Sequence, residues 1–164
     1  MGTRSMIAIQ NPYSKRVVAV YCHWDGYLEH NGAILAEHYA NSAKANNLIA
    51  LGDISSLRPE IGVEHPFSRF DTKLTDAEWD AQYGNMCTFY ARDRKESNSE
   101  FRSFKSAADA VEHYDHSGAE YYYLYRYSKA SSYETGEWFY KRDNKGRWLK
   151  LSTALKEIAN TKGV

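Results

Sequence analysis

The spacing of apolar and polar positions changes several times along the chain, and each change predicts an element. Residues 5–10 form a short apolar run, Met6-Ile7-Ala8-Ile9, that reads as a strand. Asn11, Pro12 and Ser14 follow as turn formers, and a β-branched run over 16–23 completes a predicted hairpin. The period then lengthens. Leu28, Gly32, Leu35 and Tyr39 fall at helical spacing, with Ile34 and Ala36 beside them, so a helix is expected over about 27–40, with Asp25 as its N-cap. Gly32 is unfavourable inside a helix and suggests close approach to a sheet or ligand. A second helix over 42–51 ends at Gly52, which suits a left-handed terminus.

The pattern weakens from 53 to 83, which reads as an irregular, loop-rich insertion with Pro59, Gly62 and Pro66. Within it, Thr75-Asp76-Ala77-Glu78 has the form of a capping box before a short helix around Trp79. Alternation returns as a strand over 85–92, followed by a charged run over 92–100 that reads as an exposed linker. Ser106 opens a helix that ends near His116, before Gly118. Residues 120–127 read as a Tyr-rich strand. Stretches 137–141 and 147–150 pair around the turn Asp143-Asn144-Lys145-Gly146, and a last helix begins at Ser152. Strands joined by short turns predict one α+β domain over 1–164, with a mainly antiparallel sheet and helices packed largely on one face.

Composition changes this picture in one respect. The 164 residues include 14 Tyr, 6 Phe and 4 Trp, an aromatic excess that suits a wide sheet face, an interface or a ligand groove. The chain carries 21 basic and 21 acidic residues, and a zero net charge argues against a nucleic-acid partner. Charge is uneven, with eight Lys/Arg against four Asp/Glu in 129–164. Lys141, Arg142, Lys145 and Arg147 make that end a candidate basic surface. Cys22 and Cys87 make neither a disulfide framework nor a zinc knuckle and read as buried thiols. No signal core or apolar span is seen, so a cytoplasmic protein away from membranes is expected.

Candidate chemistry concentrates at 21–32, where a predicted strand meets a predicted helix. His30 and His38 lie eight residues apart, about 12 Å along a helix at ~1.5 Å per residue, so they cannot share an ion. His23 with His30, and Cys22, Asp25 or Glu29, is a possible but unpatterned metal set, so no metal or cofactor is assigned. Asp109, His113 and His116 share a helix face that reads as its solvated side. A hydrolase would use His23 as base with Asp25 or Glu29 as partner, yet no nucleophile elbow accompanies them, and no catalytic residue is assigned. Ligand binding asks less. Trp24 and Tyr27 offer ring faces, His23 and Asp25 hydrogen bonds, and Arg4 reaches the same rim, unless the rings simply plug the core. Tyr121, Tyr123 and Tyr125 alternate onto one strand face and form a second candidate interaction surface.

Several stretches carry a resemblance. They are Thr3-Arg4-Ser5, Tyr21-Cys22-His23-Trp24-Asp25-Gly26-Tyr27, His30-Asn31-Gly32, Leu48-Ile49-Ala50-Leu51-Gly52-Asp53-Ile54-Ser55-Ser56-Leu57, and Thr88-Phe89-Tyr90-Ala91-Arg92-Asp93-Arg94. With the Trp138 and Trp148 hairpin, they resemble a group of small bacteriophage and mobile-element proteins. The resemblance implies a setting, the host bacterial cytoplasm, and no activity residue by residue. It leads to the expectation of a non-enzymatic accessory protein that binds and inhibits or redirects a host protein, such as a defence system, through its Tyr-rich face. The alternative is a small-ligand protein, binding or hydrolysing a nucleotide-like molecule at 21–32.

Overall fold

The computed structural model describes residues 2–129 and 132–162. Its strands are β1 (Ser5–Gln10), β2 (Val17–Cys22), β3 (Ile54–Ser56), β4 (Thr88–Phe89), β5 (Arg102–Phe104), β6 (Tyr121–Lys129), β7 (Ser132–Lys141) and β8 (Leu149–Lys150). They form one mixed sheet in the order β4-β3-β2-β1-β6-β7-β8, with β5 also pairing β2. β1 pairs β2 antiparallel and β6 parallel, and β2 pairs β3 parallel at Cys22 and Ile54. The other pairings, β2 with β5, β3 with β4, β6 with β7 and β7 with β8, are antiparallel. This is an α+β fold built on a mainly antiparallel sheet.

The helices are α1 (Ala33–His38), α2 (Ser42–Ala50), α3 (Asp76–Tyr83), α4 (Tyr90–Arg94), α5 (Ala107–His116) and α6 (Leu151–Lys162). Alternation along the central strands decides where they pack. Ile7, Ile9, Val20, Cys22, Tyr123 and Tyr125 bury one face of the sheet under Leu35 of α1, Leu48 and Ile49 of α2, and Leu151 of α6. Met6, Ala8, Val17, Ala19, Tyr122 and Leu124 bury the other under Ala110, Val111 and Tyr114 of α5. Three helices therefore share one face and α5 covers the opposite one. The apolar run in β1 accounts for this, since a strand without a polar face needs cover on both sides.

Several boundaries differ from the sequence reading. The helix expected over 27–40 is a π-helical turn, Leu28–Gly32, that runs into the short α1. Asp25 is not its N-cap: it sits at φ 56°, and no side chain caps the turn that starts after Tyr27. Gly32 faces the Tyr123 hydroxyl and Leu151, each 3.3 Å from where a Cβ would stand, so its close approach is to the core. The strand expected over 85–92 shrinks to β4 because Tyr90 turns into α4. α6 begins at Leu151, which places Ser152 inside the helix.

The capping readings at Thr75 and Ser106 agree with the structure. Thr75 Oγ1 accepts from Glu78 N while Glu78 Oε1 accepts from Thr75 N, and Ser106 Oγ accepts from Asp109 N.

The 53–83 insertion is less loose than its composition suggests. Cys87 N donates to Glu60 O at 2.8 Å, and Glu60 N to Asn85 O at 3.0 Å, tying its two limbs together. The Asp93 side chain, in the stretch read as an exposed linker, is fully buried. Its carboxylate accepts from His65 N, Phe89 N and Arg92 Nε at 3.1, 2.8 and 3.0 Å. Arg92 in turn donates to the carbonyls of Ile61, Gly62 and Cys87. These bonds hold the insertion against β4 and set α3 beside the end of β3.

Candidate functional site

The corner after β2 is assembled by main-chain bonds that continue the β2–β3 pairing. His23 N donates to Ile54 O at 3.0 Å and Trp24 N to Ser55 O at 3.1 Å. Asp53 Oδ1 accepts from Tyr21 N at 2.9 Å. The segments 21–27 and 48–57 therefore meet edge to edge. The chain then turns sharply. Gly26 N donates to Thr3 O, and a Cβ on Gly26 would stand 2.8 Å from both Ser5 Cβ and Thr3 O, so only glycine fits.

This turn separates the predicted site residues. Trp24 projects from the corner, 41% exposed, and lines a cleft on each side. On one side, Arg4, His23, Gly118 and Glu120 join it around a cleft of about 380 Å³. There His23 Nδ1 lies 2.7 Å from the Tyr21 hydroxyl, and burial, with Arg4 adding to it, holds the imidazole below its ordinary pKa. Arg4 donates to Ser117 O at 3.3 Å. Asp25 and Tyr27 face elsewhere. The Tyr27 hydroxyl donates to Asp25 Oδ1 at 3.4 Å, and Asp25 Oδ2 lies 4.0 Å from His30 Nε2. The pairing of His23 with Asp25 that a hydrolase would need is therefore not formed, and Tyr21 takes that place.

On the other side of Trp24 lies a groove of about 440 Å³ between β3 and α3. Ser55, Ser56 and Thr88 form its hydroxyl-bearing floor, Phe67, Trp79 and Tyr83 give it aromatic walls, and Arg58 and Arg69 supply positive charge. Arg69 is engaged by Asp76 and by Leu74 O. Arg58 donates to Leu57 O at 2.9 Å and faces His30 Nε2 at 3.3 Å. Asp80 is the carboxylate of the lining and sits exposed at the rim. α3 is braced from behind, because His65 stacks on Tyr83 with centroids 5.1 Å apart and meets Trp79 edge-on at 6.0 Å. Sequence reasoning reached Trp24 but missed Arg58, Trp79 and Tyr83. The capping box at Thr75 was the available signal that an ordered helix, and so a groove wall, stood in the insertion.

The Tyr-rich strand face is a correction. Tyr123 and Tyr125 are fully buried, with hydroxyls donating to Gly26 O and Ala40 O, each at 2.6 Å. Both rings belong to the core beneath α1, α2 and α6 and present no surface to a partner. Tyr121 is half-buried and packs under Arg142, which donates to its hydroxyl at 2.6 Å with the guanidinium 4.5 Å from the ring centre. The candidate basic surface also divides. Lys141 lies 5.0 Å over Trp148, and burial lowers its pKa, whereas Lys145 and Arg147 are exposed. Cys22 and Cys87 are fully buried free thiols, and burial pushes Cys22 up to about 12.

Among the described residues no group of three or more His, Cys, Asp and Glu is arranged to hold a metal ion. No helix among them is long and apolar enough to cross a membrane. The fold and groove define a single α+β domain with an aromatic, hydroxyl-lined cleft at the end of β2 and β3. No family model, curated protein or solved structure matches the chain.

Proposed function

We propose that the protein binds a small nucleotide-like ligand in the groove between Trp24 and α3. One observation carries the reading: an open groove of about 440 Å³ combines exposed and half-exposed aromatic rings with Arg58 and a hydroxyl floor. That volume falls within the range of small-molecule sites. Rings on either side suit a flat heterocycle, and serine and threonine hydroxyls suit its polar edge. Trp24 and Trp79 come from separate segments, so a ring seated between them would tie the insertion to the corner. The leading expectation from the sequence, a host-protein binder acting through a Tyr-rich outer face, has less to stand on, because Tyr123 and Tyr125 lie in the core.

A thermal-shift panel of nucleosides, nucleotides and unrelated aromatic molecules tests the proposal. A ligand present at about 100 times its Kd adds roughly 2.7 kcal/mol of stability and raises the melting temperature by several degrees. Trp24→Ala should abolish the shift with little loss of the unliganded melting temperature, because Trp24 is 41% exposed, whereas Trp79→Ala should abolish the shift and also lower that temperature, because Trp79 packs against His65 and Tyr83. No shift with any nucleoside or nucleotide would reject the reading.

A further inference from the structure

We infer that the ligand of this groove carries a phosphate group, that Arg58 reads it, and that His30 positions Arg58 to do so. This rests on the groove reading above and adds the chemical class of the ligand. Among the described residues no carboxylate lies within 4 Å of the Arg58 guanidinium, although that side chain is half-buried. Its Nη1 is held by Leu57 O and His30 Nε2. The Nε and Nη2 edge is left for an incoming anion, and a guanidinium edge matches two oxygens of a phosphate.

The hold on Arg58 has a defined direction. Asn31 is fully buried, and its Nδ2 faces three acceptors: Trp24 O at 3.3 Å, Ser5 Oγ at 3.4 Å and Cys22 Sγ at 3.3 Å. Those contacts fix the amide, so Asn31 Oδ1 points at His30 Nδ1, 2.8 Å away. An amide oxygen only accepts, so Nδ1 carries the hydrogen and Nε2 presents its lone pair to Arg58. The π-helical turn Leu28–Gly32 makes this possible by setting Asn31 inward and His30 against Arg58, and such turns recur at functional sites. A buried amide thereby orients a ring, and the ring orients a cation.

The groove also favours phosphate over a carboxylate. Ser56 and Thr88 hydroxyls share the lining with Arg58, which gives donors for three acceptor oxygens rather than two. Asp80 opposes an anion only from the exposed rim, where solvent and salt screen it more than they screen half-buried Arg58.

Titration of the intact protein with adenosine, AMP and inorganic phosphate, followed by tryptophan fluorescence or calorimetry, tests this. AMP should bind at least about tenfold more tightly than adenosine, since a charge-assisted contact is worth that much. Inorganic phosphate should compete with AMP but not with adenosine. Arg58→Gln should bring AMP down to the affinity of adenosine and leave adenosine unchanged. His30→Phe should weaken AMP several-fold, again without touching adenosine, which a merely structural role would not do. Equal affinity of the unaltered protein for adenosine and AMP would overturn the phosphate inference while the groove reading stands, and that comparison needs no variant. Binding of none of the three probes would overturn both.

Discussion

Replacing Asp93 by alanine should unfold the insertion from the rest of the molecule. The buried carboxylate accepts from two main-chain N–H groups, His65 N and Phe89 N, and from Arg92 Nε. Alanine leaves both N–H groups without an acceptor, at about 1–3 kcal/mol each when buried. It also removes the counter-charge of Arg92, whose side chain is only 13% exposed, although Arg92 keeps its bonds to the carbonyls of Ile61, Gly62 and Cys87. The two orphaned N–H groups alone cost about 2–6 kcal/mol, and the lost counter-charge of Arg92 adds to that, so the loss should be at least about 4 kcal/mol. Against a total stability of about 5–15 kcal/mol, that is a large share. Asp93→Asn keeps one accepting oxygen and should lose about half as much. Urea unfolding gives the loss from the shift in midpoint at unchanged slope. Hydrogen exchange should show faster opening at His65 and Phe89 than in β1. A loss below about 1 kcal/mol, the size of an ordinary surface change, would refute this account of how the groove wall is held.

Other expectations are as specific. Burial raises Asp53 from 3.8 to about 6, so the folded state holds its proton through a window where the unfolded chain has released it. Stability should therefore fall as pH rises from about 4 to about 6, and Asp53→Asn should flatten that segment of a pH–stability curve. Gly52 has φ +87° and a Cβ there would stand 2.4 Å from Ser99 O, so Gly52→Ala should cost about 2 kcal/mol or more by urea unfolding. Native protein should resist thiol reagents at both cysteines and release two equivalents only on denaturation, because Cys22 and Cys87 are each fully buried.

The alternating strands were the most legible part of the chain. Met6-Ile7-Ala8-Ile9 and the odd–even split along β6 place residues on the faces they occupy, and the Thr75 and Ser106 caps mark helix starts. The reading lost ground where long-range contacts override local pattern. Arg92 and Asp93 look like a solvated charge run, and only the fold shows a carboxylate enclosed by the main chain of distant residues. Tyr90 N donates to Asp53 O at 3.2 Å just as the chain turns into α4, a contact 37 residues away that no local window contains. Tyr123 and Tyr125 looked like surface because a tyrosine fits either place, and their hydroxyls find acceptors on the 26 and 40 carbonyls that the sequence does not bring near. At the corner, Trp24 was identified from its type and position. Its partners Arg58, Trp79 and Tyr83 were hidden in the weakly patterned insertion, and Asp25 was assigned a cap that the π-helical turn does not use.

The four tryptophans give the central claim its own internal control. Trp24 and Trp79 line the groove, Trp138 is buried with its indole N–H on Tyr39 O, and Trp148 packs against Lys141 in the distant hairpin. Indole Nε1–H signals, assigned by single Trp→Phe changes, should be followed by NMR during titration with AMP. Trp24 and Trp79 should shift together and saturate at one Kd while Trp138 and Trp148 stay in place. Signals that do not move at millimolar AMP, or a shift at Trp148 without one at Trp24 and Trp79, would contradict the groove as the binding site.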